Sequence, residues 1–449
     1  MAQPEMTASA EAEGKPGAIA RFLSPYRRPE MVAMLVLGFA SGLPLYLFYS
    51  KTSIWLREMG IERSTIGFFY WIGLAYTLKW IWAPIIDKVR VPNLTNAVGH
   101  RRSWMIVSIT GTVLGLILLS GADPTSGLGM VLIGAGLVAF SGATLDVSID
   151  AWRIESAPTD QQANMAAAYS LGYRGALITS NFGLVIAGTT SWGISFLTMA
   201  AAMAICAALV LKMKEPPRPA GATLASTDSF AKRAYRLFAE PFSQVAKRYG
   251  TLLIPIVLLV LIYRTSDFTM GVMAGPLYID LGYATEVIGA IQTGPGVLAI
   301  FIGLFLGGAI ANWIGVLPSL IVGAILTLVT NGAYAWFAAV APTDGSNLLA
   351  LTAAICADNI AGGFVTTVFI AYLSGLVDPA NAATQYALFS SLYAFVNKFV
   401  AGFSGLMVDT VGYVWFFLIT SSYAIPAGLL VIVLMRMQKR RGSVVSDDT

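Results

Sequence analysis

Asp146 and Asp150 are two carboxylates four residues apart. They lie in Ser141–Pro158, SGATLDVSIDAWRIESAP, which closes a long apolar run. On a helix that spacing stacks both acids on one face, one turn apart. A charge near the centre of a bilayer costs about 2.5–3.5 kcal/mol on insertion scales, so such a face must meet protein, water or counter-charges. The plainer alternative is a helix end with Asp150 and Arg153 among the headgroups, and it weighs less on the deeper Asp146. Other charges fall inside apolar runs in the same way: Lys79, Arg174, Arg264, Asp267, Asp358 and Lys398. Such groups can bind polar solutes or carry protons.

The elements that must position them are membrane helices. Of 449 residues 56% are apolar and 12% charged, against about 25% charged in soluble domains, and mean hydropathy is +0.71. The net charge of +4 comes from basic residues between apolar runs, which argues against nucleic-acid binding. Cys206 and Cys356 sit in apolar runs and the single histidine, His100, in a loop. No disulfide, metal cluster or cofactor is expected.

Apolar segments numbered 1 to 12 run at 31–50, 65–86, 103–121, 128–152, 164–188 and 191–211, then 251–276, 286–311, 317–340, 347–376, 383–408 and 412–435. Each can cross about 30 Å of hydrocarbon. The expected units are a tail (1–30), a six-helix bundle (31–211), a linker (212–250), a second bundle (251–435) and a tail (436–449). Of 28 Lys and Arg, four lie within segments and three, Lys51, Arg57 and Arg63, fall on one side. The other twenty-one fall on the side of both termini, which predicts cytoplasmic termini.

The halves repeat. Leu56-x-x-x-Gly60-x-x-x-x-x-Ile66-Gly67 returns as Tyr278-x-x-x-Gly282-x-x-x-x-x-Ile288-Gly289, 222 residues on. The intramembrane charges occupy segments 2, 4, 5, 7, 10 and 11; segments 3, 6, 9 and 12 carry no charge between their ends and are expected to face lipid. By depth, Asp146 lies level with Lys79 and Arg174 and is expected to pair with one of them. Arg264 and Asp267, three apart, are placed to pair with each other. Gly303-x-x-x-Gly307, Gly172, Gly175 and Gly183 are read as sites of close helix packing. Tyr46, Tyr49, Trp71, Tyr169 and others are interfacial anchors or sugar platforms, with Tyr76 and Tyr173 preferred as platforms because they neighbour charges.

The expected fold is an all-α membrane protein of twelve helices in two six-helix pseudo-repeats, an arrangement that resembles the major facilitator fold. Particular residues resemble a narrower family, the AmpG-type muropeptide permeases. They are Ser41-Gly42-Leu43-Pro44-Leu45, Ala75-Tyr76-x-x-Lys79, Ala83-Pro84-x-x-Asp87, Asp146-x-x-x-Asp150-Ala151-Trp152-Arg153, Leu171-Gly172-Tyr173-Arg174 and Ala383-Thr384-Gln385-Tyr386-Ala387-Leu388. Asp87-Lys88 followed by Arg101-Arg102 resembles a loosened form of the general facilitator motif. The resemblance implies proton-driven import of anhydro-muropeptides across the bacterial inner membrane, for wall recycling and β-lactamase induction. Its partners would be a sugar–peptide substrate, protons and the lipid bilayer, with no nucleic acid, and the protein a monomer.

The residues themselves then suggest roles. With no histidine available inside the membrane, Asp146, Asp358 and Asp150 are the proton-coupling candidates, Asp146 foremost. Lys79, Tyr76, Tyr173, Arg174, Asn359, Gln385 and Lys398 are the substrate-binding candidates, with Arg174 or Lys398 holding an acidic end. Asp87, Arg153, Arg264 and Asp267 are the gating or charge-pair candidates. A facilitator for another solute, such as a ferric siderophore, is the alternative. A membrane enzyme is disfavoured by the repeat and by the lack of a His–carboxylate pair or ligand cluster at a membrane face.

Overall fold

A computed structural model describes residues 28–156, 161–217, 247–377 and 382–447. Most of the expected N-terminal tail and of the 212–250 linker lies outside the described residues. Among those described, nine helices are long and apolar enough to cross a membrane. They are α1 (Pro29–Glu58), α3 (His100–Ser120), α4 (Gly129–Ser156), α6 (Trp192–Val210), α7 (Lys247–Asp280), α8 (Thr285–Ile314), α9 (Val316–Val340), α10 (Leu348–Leu376) and the stretch Ser404–Lys439.

Three more helical stretches stand where segments 2, 5 and 11 were expected. The second (α2, 63–88) is broken by 3₁₀ turns at Tyr70–Leu74 and Lys79–Ile81. The fifth is α5 (Gln162–Thr189). The eleventh (α11, 382–411) begins with Ala382–Ala401 and ends at Gly412, whose φ of 76° turns the chain into the twelfth (α12, 413–447). Only a glycine holds such a φ without strain.

The repeat seen in sequence is a repeat of geometry. Gly60 and Gly282 have φ of 80° and 82°. Each donates its N–H three residues back, and the next residue donates five back: Gly60 to Arg57 and Ile61 to Leu56, Gly282 to Ile279 and Tyr283 to Tyr278. Both turns end a helix in the glycine-capped way that satisfies its last carbonyls. Packing repeats too. The contacts α1–α5, α3–α4 and α3–α6 recur as α7–α11, α9–α10 and α9–α12. Between the halves the contacts are α1–α7, α5–α8 and α2–α11. Adding six to each number exchanges the last two pairs and returns the first to itself, as a two-fold axis requires.

Without a hydrophobic force between helices in lipid, close backbone packing must hold them. A Cβ on Gly172 would run into the carbonyl oxygen of Leu35 in α1, and one on Gly38 into Tyr169 of α5. Gly303 of α8 and Gly363 of α10 face each other's backbones likewise, whereas a Cβ on Gly175 would meet only the Phe39 ring at 3.7 Å. Overpacking costs about 1–3 kcal/mol. Gly172→Ala is therefore expected to lower the thermal midpoint of the purified protein, while Gly175→Ala leaves it unchanged or raised. Equal midpoints in the two variants would contradict the seam.

One expectation is corrected here. Segment 1 was ended at residue 50, with Lys51 counted as an outer-loop residue. Instead α1 continues to Glu58, and Lys51 is 3% exposed within it. The apolar run Ile54-Trp55-Leu56 carries the helix onward, all three residues being buried.

Candidate functional site

The central feature is a cavity of about 660 Å³ between the halves. Its walls include Tyr46 of α1, Tyr169, Tyr173 and Arg174 of α5, Arg264 and Asp267 of α7, and Asp358, Asn359 and Thr366 of α10. Charged and aromatic groups thus converge from both halves on a space within the ~300–1,000 Å³ typical of ligand sites. Arg264 Nε lies 2.9 Å from Asp267, its Nη1 donates to Thr366 at 3.0 Å, and Thr327 donates to Asp267 at 3.2 Å. The expected pairing of these two charges is what the structure holds. Asp358 makes no hydrogen bond or ion pair among the described residues and stands half-buried in the wall.

A second polar group stands apart from this cavity. Lys79 Nζ is 3.3 Å from Asp146, the two side chains being 31% and 16% exposed. Ser41 of α1 donates to Asp146 at 2.5 Å and shares a 2.6 Å bond with Tyr169. Of the two partners expected for Asp146, Lys79, at the start of the second 3₁₀ turn, is the one found. Arg174 faces the cavity instead. Tyr169 touches both assemblies and so links Asp146 to the cavity wall.

Lys398 is buried, with Nζ 4.8 Å above the Tyr49 ring and 5.7 Å above that of Tyr76. This is cation–π packing of a desolvated ammonium. Gln385 is buried as well. Lys79, Tyr76, Gln385 and Lys398 therefore do not line the large cavity, contrary to a single shared site. Asp150 is 58% exposed and 3.8 Å from the half-buried Arg153, a pair outside the cavity. Asp87 lies 2.7 Å from Arg101, which also holds Glu155 at 2.7 Å. The partner Glu155 was not anticipated.

At the end of the molecule marked by Gly60, bonds between the halves gather in two layers. In the upper layer Asp280 accepts from Arg57 Nε at 2.5 Å, Arg63 Nη2 at 2.6 Å and Tyr413 at 2.8 Å. Asp409 adds 3.4 Å to Arg63 and 2.9 Å to the Ser64 N–H. Glu58 accepts from Thr285 at 2.7 Å. In the lower layer Lys51 Nζ donates to Asn181 Oδ1 at 2.7 Å and to Gln292 Oε1 at 2.6 Å. Below it a 250 Å³ chamber shares Tyr46, Ile300, Asp358 and Asn359 with the large cavity. The structure is closed at this end.

An all-helical membrane chain, with two similar halves around a polar cavity shut at one end, has the architecture of a solute transporter working by alternating access. Residues 34–396 match the sequence profile of the Major Facilitator Superfamily, and the chain belongs to that superfamily and, within it, to the AmpG group of transporters. A Rickettsia felis protein named as transporter AmpG 4 is 30% identical over 94% of this chain and 99% of its own. The anhydromuropeptide permease of Escherichia coli K12 is 29% identical over 92% of this chain and 81% of its own. Among solved structures, the nucleoside transporter NupG aligns with a TM-score of 0.66 at 11% identity, covering 90% of this chain and 99% of NupG. A bacterial homologue of the lysosomal transporter Spinster gives 0.65 at 13%, covering 92% and 97%. At such identities these two speak for the fold alone.

Proposed function

We propose that this protein imports anhydro-muropeptides, N-acetylglucosaminyl-anhydro-N-acetylmuramic acid and its peptides, across the bacterial inner membrane using the proton gradient. The observation that carries it is the large cavity: tyrosines for sugar faces, amide and hydroxyl groups for their oxygens, and Arg174 for an acidic end. The permease relative from Escherichia coli supports the substrate class. Twenty-one basic residues lie on the side of the termini against two, Arg57 and Arg63, once Lys51 is moved into the membrane. We place the termini in the cytoplasm on that ground, so that the closed Gly60 end faces outward.

For coupling, Asp358 takes first place and Asp146 second, reversing the order suggested by sequence. Protonating Asp146 gives up the Lys79 pair, whereas protonating Asp358 breaks no ion pair. Asp150, exposed and next to Arg153, has no part in this scheme. The protein acts as a monomer, each chain enclosing its own cavity.

Uptake of labelled disaccharide and disaccharide–tripeptide into proteoliposomes with an imposed proton gradient tests the reading. Hydrogen bonds to charged groups are worth about 1.5–3 kcal/mol, or about 10- to 100-fold in affinity. Arg174→Ala is expected to raise KM for the tripeptide by that factor, while Lys439→Ala, in the exposed tail, leaves it unchanged. Failure of both labelled compounds to enter, with uptake of a ferric siderophore, would transfer the assignment to that solute.

A further inference from the structure

Two grooves on the outer surface of the first half meet end to end. One, of about 490 Å³, lies on the side of the termini, between the start of α1 and the end of α6. Glu30, Trp152, Lys212 and Lys214 are in its wall. The other, of about 560 Å³, continues deeper between α1, α5 and α6, with Phe301 of α8 in its wall. Val36 and Leu209 line both.

The joined groove is apolar along its length and charged only towards its ends. On α1 it is lined at Val32, Val36 and Phe39, and on α6 at Ala202, Cys206 and Leu209. These residues are three or four apart, so each helix presents a single stripe. Facing them on α5 are Gly172 and Gly175, which leave the floor bare of side chains. Ten residues separate Lys212 from Ala202, as they do Pro29 from Phe39, which is about 15 Å along a helix. Half of a hydrocarbon core of about 30 Å is the depth of one leaflet. The groove therefore has the reach of one acyl chain.

Its mouth is positive. Lys212 and Lys214 are exposed and make no ion pair among the described residues. The segment that carries them is tied down. Trp152 Nε1 donates to the Lys214 carbonyl at 3.1 Å, Arg102 Nε to that of Val210 at 3.0 Å, and Glu215 accepts from the Arg101 N–H at 2.6 Å.

We propose that this groove holds one anionic glycerophospholipid of the phosphatidylglycerol kind. Its phosphate sits at Lys212 and Lys214, and one acyl chain runs past Val36 and Leu209 to Phe301. Two ammonium groups against the single Glu30 carboxylate leave one positive charge for one phosphate. Basic pockets between helices at a membrane face hold anionic headgroups in this way. A phosphocholine headgroup brings its own cation and gains nothing from the excess. The chain's end touches Phe301 of the second half, and lies behind Arg174, which lines both the groove and the large cavity. The site depends neither on the transported solute nor on which leaflet this is.

The test places full-length protein in phosphatidylcholine nanodiscs with a small fraction of a probe lipid. The probe carries a diazirine at the end of one acyl chain and a phosphoglycerol or a phosphocholine headgroup. Adducts formed on illumination are located by peptide mass spectrometry. Each lysine near an anionic headgroup is worth about fivefold in binding, so two are worth about 30-fold. The phosphoglycerol probe is expected to label Ala202–Cys206 and Phe301 at least tenfold more than the phosphocholine probe does. At Val329, exposed halfway along α9, the two should label alike. Lys212→Gln with Lys214→Gln, both at exposed positions, should bring the groove's ratio to within twofold of that at Val329. Ile205→Trp, at the exposed rim, should fill the groove and cut labelling of Phe301 at least fivefold without changing Val329. Equal ratios at the groove and at Val329 in the unaltered protein overturn the site, as does a ratio that the lysine variant leaves unmoved. Labelling of Phe301 unchanged by Ile205→Trp would mean that the lysines only enrich the surrounding lipid and that the groove seats no chain, which also overturns it.

Discussion

Asp358→Asn is expected to abolish proton-driven accumulation while leaving solute exchange across the membrane intact. The half-buried acid lines both cavities and makes no hydrogen bond or ion pair among the described residues. It can take up and release a proton as the halves move, without first breaking a pair. One charge moved through 100 mV is worth about 2.3 kcal/mol, enough for about a 40-fold concentration ratio. The variant should bring that ratio to one, with counterflow of labelled against unlabelled solute at the unaltered rate. Asp146→Asn should act differently, because it leaves the Lys79 ammonium without its acid and so slows exchange as well. If Asp358→Asn still accumulates solute uphill, Asp358 is not the carrier and Asp146 returns to first place.

Much of this site was legible because it follows from period and depth. Residues three apart on a helix meet, and Arg264 with Asp267 do so. Charges at equal depth on different helices can meet, and Lys79 with Asp146 do so. The adjacent polar pair Asp358-Asn359 in an apolar run could only point inward. What failed was whatever depended on irregular backbone or on the meeting of distant helix ends. The π-turn Leu47–Lys51 has no residue signature, so Lys51 was read as a loop residue. Which of two cations Asp146 would find was open as well, and it is Lys79, at the start of a 3₁₀ turn. The packing of Lys398 against Tyr49 of α1 and Tyr76 of α2 was out of reach because those rings lie more than 300 residues away in sequence. Arg57 and Arg63 were read as residues beyond the ends of the apolar runs, but their common acceptor was invisible until α1, α2 and α7 were seen to end together.

That acceptor, Asp280, should be the single residue on which closure of the Gly60 end depends most. It receives Arg57, Arg63 and Tyr413, and so ties α1 and α2 to α7 and α12. Replacing it with Asn keeps the shape but leaves one amide oxygen for three donors, and no charge for two guanidinium groups. Removing one partner of a fully buried pair costs about 3–5 kcal/mol, and exposed pairs are worth about 1 kcal/mol or less. With side chains 16–28% exposed, this cluster falls between, at about 1–3 kcal/mol. At 1.4 kcal/mol per tenfold, the closed-to-open ratio should fall by about 5- to 100-fold. Spin labels at Ser126→Cys and Ser346→Cys, one at this end of each half, should report a longer distance population in Asp280→Asn than in the unaltered protein. Gln292→Ala, which loosens the lower layer, should add to that population when combined with Asp280→Asn. A distance distribution unmoved by Asp280→Asn in folded protein would mean that apolar packing among α1, α2, α7 and α11 holds the Gly60 end shut, and that the ion cluster only decorates it.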